Sequence, residues 1–428
     1  MRIRTEMMMP SENVTEERVP DGTPSRRLRV LVFTTSFPSK VQPEFGVHVK
    51  ERLRILAQTS NIELHIVAPA PYFPPLKTFK RWYAWSQVPN DEIVDGLVVH
   101  RPRYPMIPRI GGLVQSKLIY LASLKYIRQL KKRFDFDLID SHFVYPNGVA
   151  AVDLGKRFNR PVVITCRGAD IAVYPQQAFV GKRIRQALRS ADQLIALSEE
   201  MRGRMVQLGA DDNRINSIPN GVDLAKFEML SRDDARKQLD LPLDRPLILS
   251  VGYRLELKGF HLLVDALAQV RRTHPHAMCA IVGGQTRWGA PDYLPEIQRR
   301  IDQHQLAEHV VIAGTRPQEE LKLWYSAANL SCIMSSREGS PNVMMEALAC
   351  GAPLVSTRVG NVPEVLANPV LGSMIDNRSA EAAAPVLSAA LSKQWDRNAI
   401  RQFAISHSWV AVASRVREVF DRAIEERE

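Results

Sequence analysis

Cysteine is scarce in this sequence, and none of it is spaced for chemistry. The four thiols, Cys166, Cys279, Cys332 and Cys350, stand singly in or beside apolar segments without a C-x-x-C pair. That spacing speaks against a zinc ribbon or a disulfide frame and for buried free thiols in a reducing, cytoplasmic compartment. Asp, His and Cys nowhere cluster at ligand spacing, so no catalytic metal is expected. No apolar run approaches the ~20 residues a membrane-spanning helix needs, and the first residues show no signal-peptide pattern. No G-x-G-x-x-G follows the first strand pattern, which argues against a dinucleotide fingerprint there. What is present is ample. The 428 residues suffice for two domains with large cores, and 45% apolar with 24% charged residues is the balance of an ordinary soluble protein. A formal net charge of +11 favours an anionic partner: nucleic acid, an acidic bilayer face or a phosphorylated small molecule. Charge alone does not choose among these.

The most informative stretch runs from Cys332 to Thr357, CIMSSREGSPNVMMEALACGAPLVST. An apolar strand over 330–334 enters the polar loop Ser335-Ser336-Arg337-Glu338-Gly339-Ser340. A helix starts near Pro341 and Asn342, passes Glu346 and stops at Gly351, and a second strand covers 353–357. Such a unit turns the free N–H groups of a helix start towards whatever lies beyond the strand ends, a setting that attracts phosphate. Gly339, Ser340, Pro341, Asn342 and Val343 are therefore candidate donor-binding positions. Glu338 and Glu346 would repel a phosphate, but carboxylates accept hydrogen bonds and a sugar is a cluster of donor hydroxyls. Amides for a diphosphate beside acceptors for hydroxyls point to a nucleotide-sugar site. At this point the alternative, a helix start carrying two solvated acids, stays open.

The same stretch resembles the E-(x)7-E motif of the retaining family 4 glycosyltransferases, across the loop, the helix, its alanine-rich continuation and the Gly-x-Pro strand. The resemblance runs from about Leu28 to the end, with the specific motifs concentrated after Asp223, and it is to members of the exopolysaccharide or cell-surface glycan type. It implies an α/β protein with two Rossmann-like domains facing a central cleft, the GT-B fold. It also implies a hexosyltransferase that takes its sugar from a nucleotide diphosphate. In that family the second glutamate, here Glu346, holds the ribose, and the first, here Glu338, contacts the transferred sugar at the reacting centre.

Taken in order, residues 1–26 read as a disordered tail. Strand, helix and strand over 28–33, 47–58 and 62–68 open the fold, with Gly46 placed either for close backbone approach to a phosphate or sugar or simply to ease a loop into a helix. Between Pro71 and Arg133 the composition changes: Trp82, Tyr83 and Trp85 lie among Lys77, Lys80, Arg81, Arg101, Arg103, Arg109 and Lys131-Lys132-Arg133. Rings beside clustered cations suit peripheral contact with an anionic membrane, and a solvated surface with tryptophans packed under a loop is the alternative. His142 ends a strand over 138–142, where a parallel sheet faces its ligand crevice, and the resemblance implies a histidine set against the donor sugar. Arg167 and Asp170, in RGAD, are similar to the family's T-x-R-G-x-D and would line the cleft on the acceptor side; an internal Arg–Asp pair is the alternative. Ser198 is a helix cap and Gly209 a helix stop, and IPNGVD is a turn at a domain boundary that resembles the family's hinge. The expected division is 27–222 for the acceptor domain, 223–404 for the donor domain, and 405–428 for a helix crossing back to the first.

The second half repeats the plan. Arg254 and Lys258, four apart after the strand 247–251, match the family's R-x3-K, and two fixed cations can neutralise a diphosphate leaving group where other transferases use a divalent metal. Gly283, after the strand 278–282, lets backbone approach a ligand. Asn361, in GNVPE, departs from the glycine pair of many relatives. The expectation is a retaining, metal-independent transfer from a nucleotide sugar to a hydroxyl of a lipid-linked or cell-surface glycan, at the inner face of a membrane. No cofactor and no nucleic-acid partner are expected. Glu338, His142, Arg254 and Lys258 are the catalytic candidates. The rivals are a nucleotide-sugar epimerase or phosphorylase of the same fold, and a non-catalytic binder whose basic face docks on nucleic acid or anionic lipid.

Overall fold

The computed structural model describes residues 27–72, 74, 80–105, 111–285 and 290–427. The expected disordered tail, Lys77, Arg109 and the side chains of Lys80, Arg81 and Trp82 lie outside the described residues. Leu28–Phe33 is apolar at five of its six positions and almost wholly buried, as a central parallel strand covered on both faces must be. It pairs in parallel with Ile62–Val67 on one side and Leu138–His142 on the other. The first sheet has eight strands in the order Ile215–Ser217, Gln193–Ala196, Val162–Thr165, Leu138–His142, Leu28–Phe33, Ile62–Val67, Leu97–His100, Asp91–Val94. Only the last of these runs antiparallel to its neighbour. The second sheet has six parallel strands, Val310–Gly314, Met278–Val282, Leu247–Val251, Leu330–Ile333, Leu354–Thr357, Gly372–Ile375.

Each half is Rossmann-like. The strand that opens it is central, and the chain order reverses beside that strand. The reversals fall between Leu28–Phe33 and Leu138–His142, and between Leu247–Val251 and Leu330–Ile333. Open α/β sheets bind ligands beyond the carboxyl ends of the strands at such reversals. The segments there, 34–46, 143–148, 252–259 and 334–341, are where the site is built.

The first sheet is covered on both faces. Leu31, Phe33 and Ile139 pack with Ile119, Leu154 and Ile184 on one side. On the other, Val30 and Val32 share a core with Leu53 and Leu56 of the helix Val47–Thr59 and with Trp409, Val412, Val416 and Phe420 of the last helix, Trp409–Glu425. That helix is capped by Ser408, whose Oγ accepts from Ala411 N. The chain leaves the first half through Asn220–Asp223 and returns beside the same turn, where Trp409 N donates to Val222 O at 3.1 Å.

The segment expected to present cations and rings outward is largely engaged with its own backbone. Arg101 is buried and pairs with Glu92 at 2.9 Å. Arg103 donates to the carbonyls of Pro71, Trp85 and Val88, and Trp85 packs edge-on against Phe45. The composition of this segment also conceals a β-hairpin, Asp91–Val94 to Leu97–His100, turned through Asp95 (φ 48°) and Gly96 (φ 81°). An outward stripe remains on the helix Gly111–Lys131, where Val114, Lys117, Leu121, Lys125 and Arg128 are exposed. Among the described residues no helix is long and apolar enough to cross a membrane.

Candidate active site

The second half supplies a cation and a carboxylate already in contact. After Val251 the chain makes a single turn over Glu256–Lys258 and enters the helix Phe260–Val270 through Gly259, whose φ of 69° favours glycine. Lys258 Nζ lies 2.6 Å from Glu338 Oε1, and Ser335 Oγ donates to the same oxygen at 2.7 Å. Just beyond, the helix Asn342–Ala349 begins after Pro341 with no side chain capping it, so its first N–H groups face the cleft unclaimed by a cap. Four residues into that helix, Glu346 accepts from Tyr325 Oη at 2.9 Å. Burial pushes the Glu346 carboxyl up to about 7, although the Tyr325 bond and the charge of Lys226 pull the other way.

Arg254 does not converge with Lys258. It donates through Nε and Nη2 to the two oxygens of Asp292, at 2.9 and 2.7 Å. That fork holds Asp292 below its ordinary carboxyl range and keeps Arg254 above its own. Gly283 is likewise turned to internal packing: with φ 137° it presses on the backbone of Gly252, so the glycine answers to a neighbouring loop.

In the first half, His142 is wholly buried rather than facing the crevice. Its Nδ1 accepts from Arg167 Nη2 at 2.9 Å, which puts the ring proton on Nε2, 3.2 Å from Asp140 Oδ2. Burial lowers its pKa to about 4, and Arg167 and Arg52 add to that while Asp140 opposes it, so the ring is neutral at ordinary pH. Burial alone would raise the Asp140 carboxyl, but His142, Arg52 and Arg167 hold it below its usual value. Asp170 is also buried and forms no side-chain pair with Arg167. Its carboxylate gathers the backbone N–H groups of Val144, Arg167 and Gly168, which stitches two crevice loops together. Arg167 alone of this group reaches the cleft, and burial depresses it to about 9. Gly46 caps the helix Val47–Thr59 with φ 76°, and a Cβ there would stand 2.5 Å from Ser36 O. Two residues further, His48 is turned towards the cleft and is kept neutral, with burial lowering it to about 3.

The halves meet around a cavity of about 290 Å³. Its first-half wall is His48, Arg167, Leu197 and Asn220, and its second-half wall is Gly252, Tyr253, Lys258, Glu338 and residues 339–343. A Cβ on Gly339 would stand 2.5 Å from Arg167 O, so this loop lies flat against the other half. Of the expected residues, Lys258, Glu338, Arg167 and 339–343 are brought together. Arg254, Glu346, His142, Asp170, Gly46 and Gly283 stand outside the lining. Among the described residues no group of three or more His, Cys, Asp or Glu side chains is placed to hold a metal ion, and all four cysteines are free and buried.

Two family models cover most of the chain: Glycosyltransferase Family 4 matches residues 45–226, and Glycosyl transferases group 1 matches residues 231–407. The chain belongs to the family 4 glycosyltransferases. Among curated relatives, a Bacillus subtilis protein named for teichuronic acid biosynthesis is 29% identical over 343 residues, 78% of this chain and 82% of its own. A D-inositol 3-phosphate glycosyltransferase of Catenulispora acidiphila is 27% identical over 438 residues, 94% and 97% of the two chains. Among solved structures, sucrose-phosphate synthase from Thermosynechococcus elongatus superposes with a TM-score of 0.73 at 21% identity, over 94% of this chain and all of that one. Anabaena HepE, solved with UDP, gives 0.67 at 17% identity, over 92% and 99%. These likenesses confirm the GT-B fold of this glycosyltransferase.

Four residues of the site carry no signal that spacing could deliver. Asp292 and Tyr325 reach Arg254 and Glu346 from 38 and 21 residues away. Asn220 is legible only as a turn former, and His48 only as a lone histidine on a helix.

Proposed function

We propose that this glycosyltransferase moves a hexosyl group from a nucleotide-diphosphate donor to a hydroxyl of a lipid-linked or cell-surface glycan, with retention and without a metal ion. The observation that carries the reading is the cavity itself. Lys258, Arg167 and an uncapped helix start offer positive potential for a diphosphate, and Glu338 offers an acceptor for sugar hydroxyls on the adjoining wall. In support, HepE and a plant starch synthase of the same fold were solved with UDP and ADP. Relatives named for teichuronic acid and inositol 3-phosphate chemistry support a hydroxyl-rich acceptor.

On this reading the bond from the anomeric carbon to the β-phosphate oxygen breaks as a bond to the acceptor oxygen forms on the same face. The acceptor's proton passes to the departing phosphate oxygen. Lys258 neutralises the leaving group, joined by Arg254 once Asp292 releases it; Glu338 orients the sugar and Glu346 the ribose. His142, wholly buried with its Nδ1 on the Arg167 guanidinium, holds Arg167 rather than the sugar.

The test is a donor screen scored by thermal shift and nucleotide release, followed by transfer with Glu338→Gln, Lys258→Ala and Glu346→Ala. Stabilisation by one nucleotide sugar and loss of transfer in each variant are expected, unchanged by EDTA. Conversion of the donor to a second sugar nucleotide without acceptor would instead identify an epimerase. A cytoplasmic enzyme peripheral on the inner membrane face is part of the same proposal, supported by the stripe from Val114 to Arg128. Flotation with anionic liposomes checks it, and failure to float at low salt rejects it.

A further inference from the structure

Asn220 lies in the turn that joins the halves, 6% exposed, and its amide is used at both ends. Oδ1 accepts from Arg167 Nη1 at 2.8 Å; Nδ2 donates to Asn342 Oδ1 at 2.9 Å and to Ser340 O at 3.4 Å. Its backbone N–H donates to Ser340 Oγ at 3.2 Å. Arg167 is gripped on its other side by His142, which rests against Asp140. An unbroken line of polar contacts therefore runs from beneath the first sheet, through the turn, to the start of the helix Asn342–Ala349. Only an amide completes that line. A carboxylate at 220 accepts from Arg167 but cannot donate to the Ser340 carbonyl, and a hydroxyl is too short to reach both sides.

Arg167 has capacity left over. It is 8% exposed and lines the cavity, and its buried Nε has no hydrogen-bond partner. A guanidinium in this position, facing Lys258 across the cavity, is suited to an anion.

We propose that Asn220 is the positioning residue of the donor site: it fixes Arg167 as a further diphosphate-binding cation in register with the amides of 339–343. Each time the halves meet, Asn220 delivers the cation of one and the helix start of the other at the same separation. This rests on the donor-site reading above and adds to it a residue, Asn220, and the means by which Arg167 is held for the leaving group.

The experiment is titration calorimetry of the full chain with UDP, GDP and ADP, with melting temperature recorded for every variant. Wild type binds at least one of them, and Lys258→Ala weakens it. Asn220→Ala and Asn220→Asp each weaken binding on the order of 10- to 100-fold. Added to Arg167→Gln, neither brings much further loss, because both act through the same guanidinium. Asn342→Leu, which removes the acceptor for Asn220, weakens binding as well, and it serves if the Asn220 variants fail to fold. If Lys258→Ala weakens binding while the Asn220 and Asn342 variants do not, or if the Asn220 and Arg167 losses multiply, the inference falls and the donor site stands. If wild type binds no nucleoside diphosphate, both fall.

Discussion

Lys258 and Glu338 stand 2.6 Å apart, which leaves no room for a phosphate oxygen between them. On the proposed reading a diphosphate competes with Glu338 for the ammonium, which keeps two further N–H donors, while the carboxylate beside it accepts from the sugar hydroxyls. Glu338→Gln removes the competing charge. It should bind nucleoside diphosphate several-fold more tightly while transfer falls on the order of 100-fold or more, a split that calorimetry and turnover assays read separately. Glu346 adds a pH dependence. On the proposed reading its carboxyl, raised to about 7 by burial, accepts from the ribose hydroxyls best when ionised. Binding then lowers that pKa, so donor affinity falls as pH drops below about 7 and levels off above it. Titration between pH 5.5 and 8.5 should show this limb in wild type and not in Glu346→Gln. Neither behaviour is legible from the motif: spacing names the two glutamates, but it says nothing of Lys258 as a partner of the first or of Tyr325 as a donor to the second.

At the scale of elements, the strands were readable because parallel strands covered on both faces are continuous apolar runs, LRVLVF and LILSV among them. The hairpin at Asp95-Gly96 is equally readable, since Asp-Gly between Ile93-Val94 and Leu97-Val98-Val99 is a strong turn signal, although the cations and rings on either side give the segment the composition of an outward surface. Loop contacts between halves were not readable at all. Gly339 lies against Arg167 O, so Gly339→Ala forces the loop away at about 1–3 kcal/mol. Donor binding should weaken roughly 10-fold or more at that strain, with each half still folded by circular dichroism. The last helix makes the opposite case. Phe420 is fully buried against the first sheet, and Phe420→Ala should cost about 3–5 kcal/mol in denaturant unfolding, although it lies far from the cavity.

At the scale of the whole molecule, polar contacts close the cleft. Besides the line through Asn220, Glu51 of the first half bonds Lys226 at 2.9 Å, and Arg54 reaches Asp223 at 3.2 Å. Burial would raise the Glu51 carboxyl, yet Lys226, Arg54 and Lys50 hold it below its ordinary value. A depressed carboxyl contributes stability above its unfolded pKa and loses it as pH falls through the folded one. The cleft should therefore open under acid below the usual carboxyl range, seen as a rise in radius of gyration by small-angle scattering, and Glu51→Gln should show that rise at neutral pH. The sequence named both halves and the turn between them; which side chains span the gap depends on three-dimensional meeting points that no local pattern encodes. The returning helix Trp409–Glu425 carries a last consequence, for synthesis. Val30 and Val32 emerge from the ribosome nearly four hundred residues before Val416 and Phe420 can cover them. At 5–20 residues per second, their sheet waits on the order of 20–80 s with that face covered only by the helix Val47–Thr59, a nascent chain that chaperones should hold until the final helix arrives.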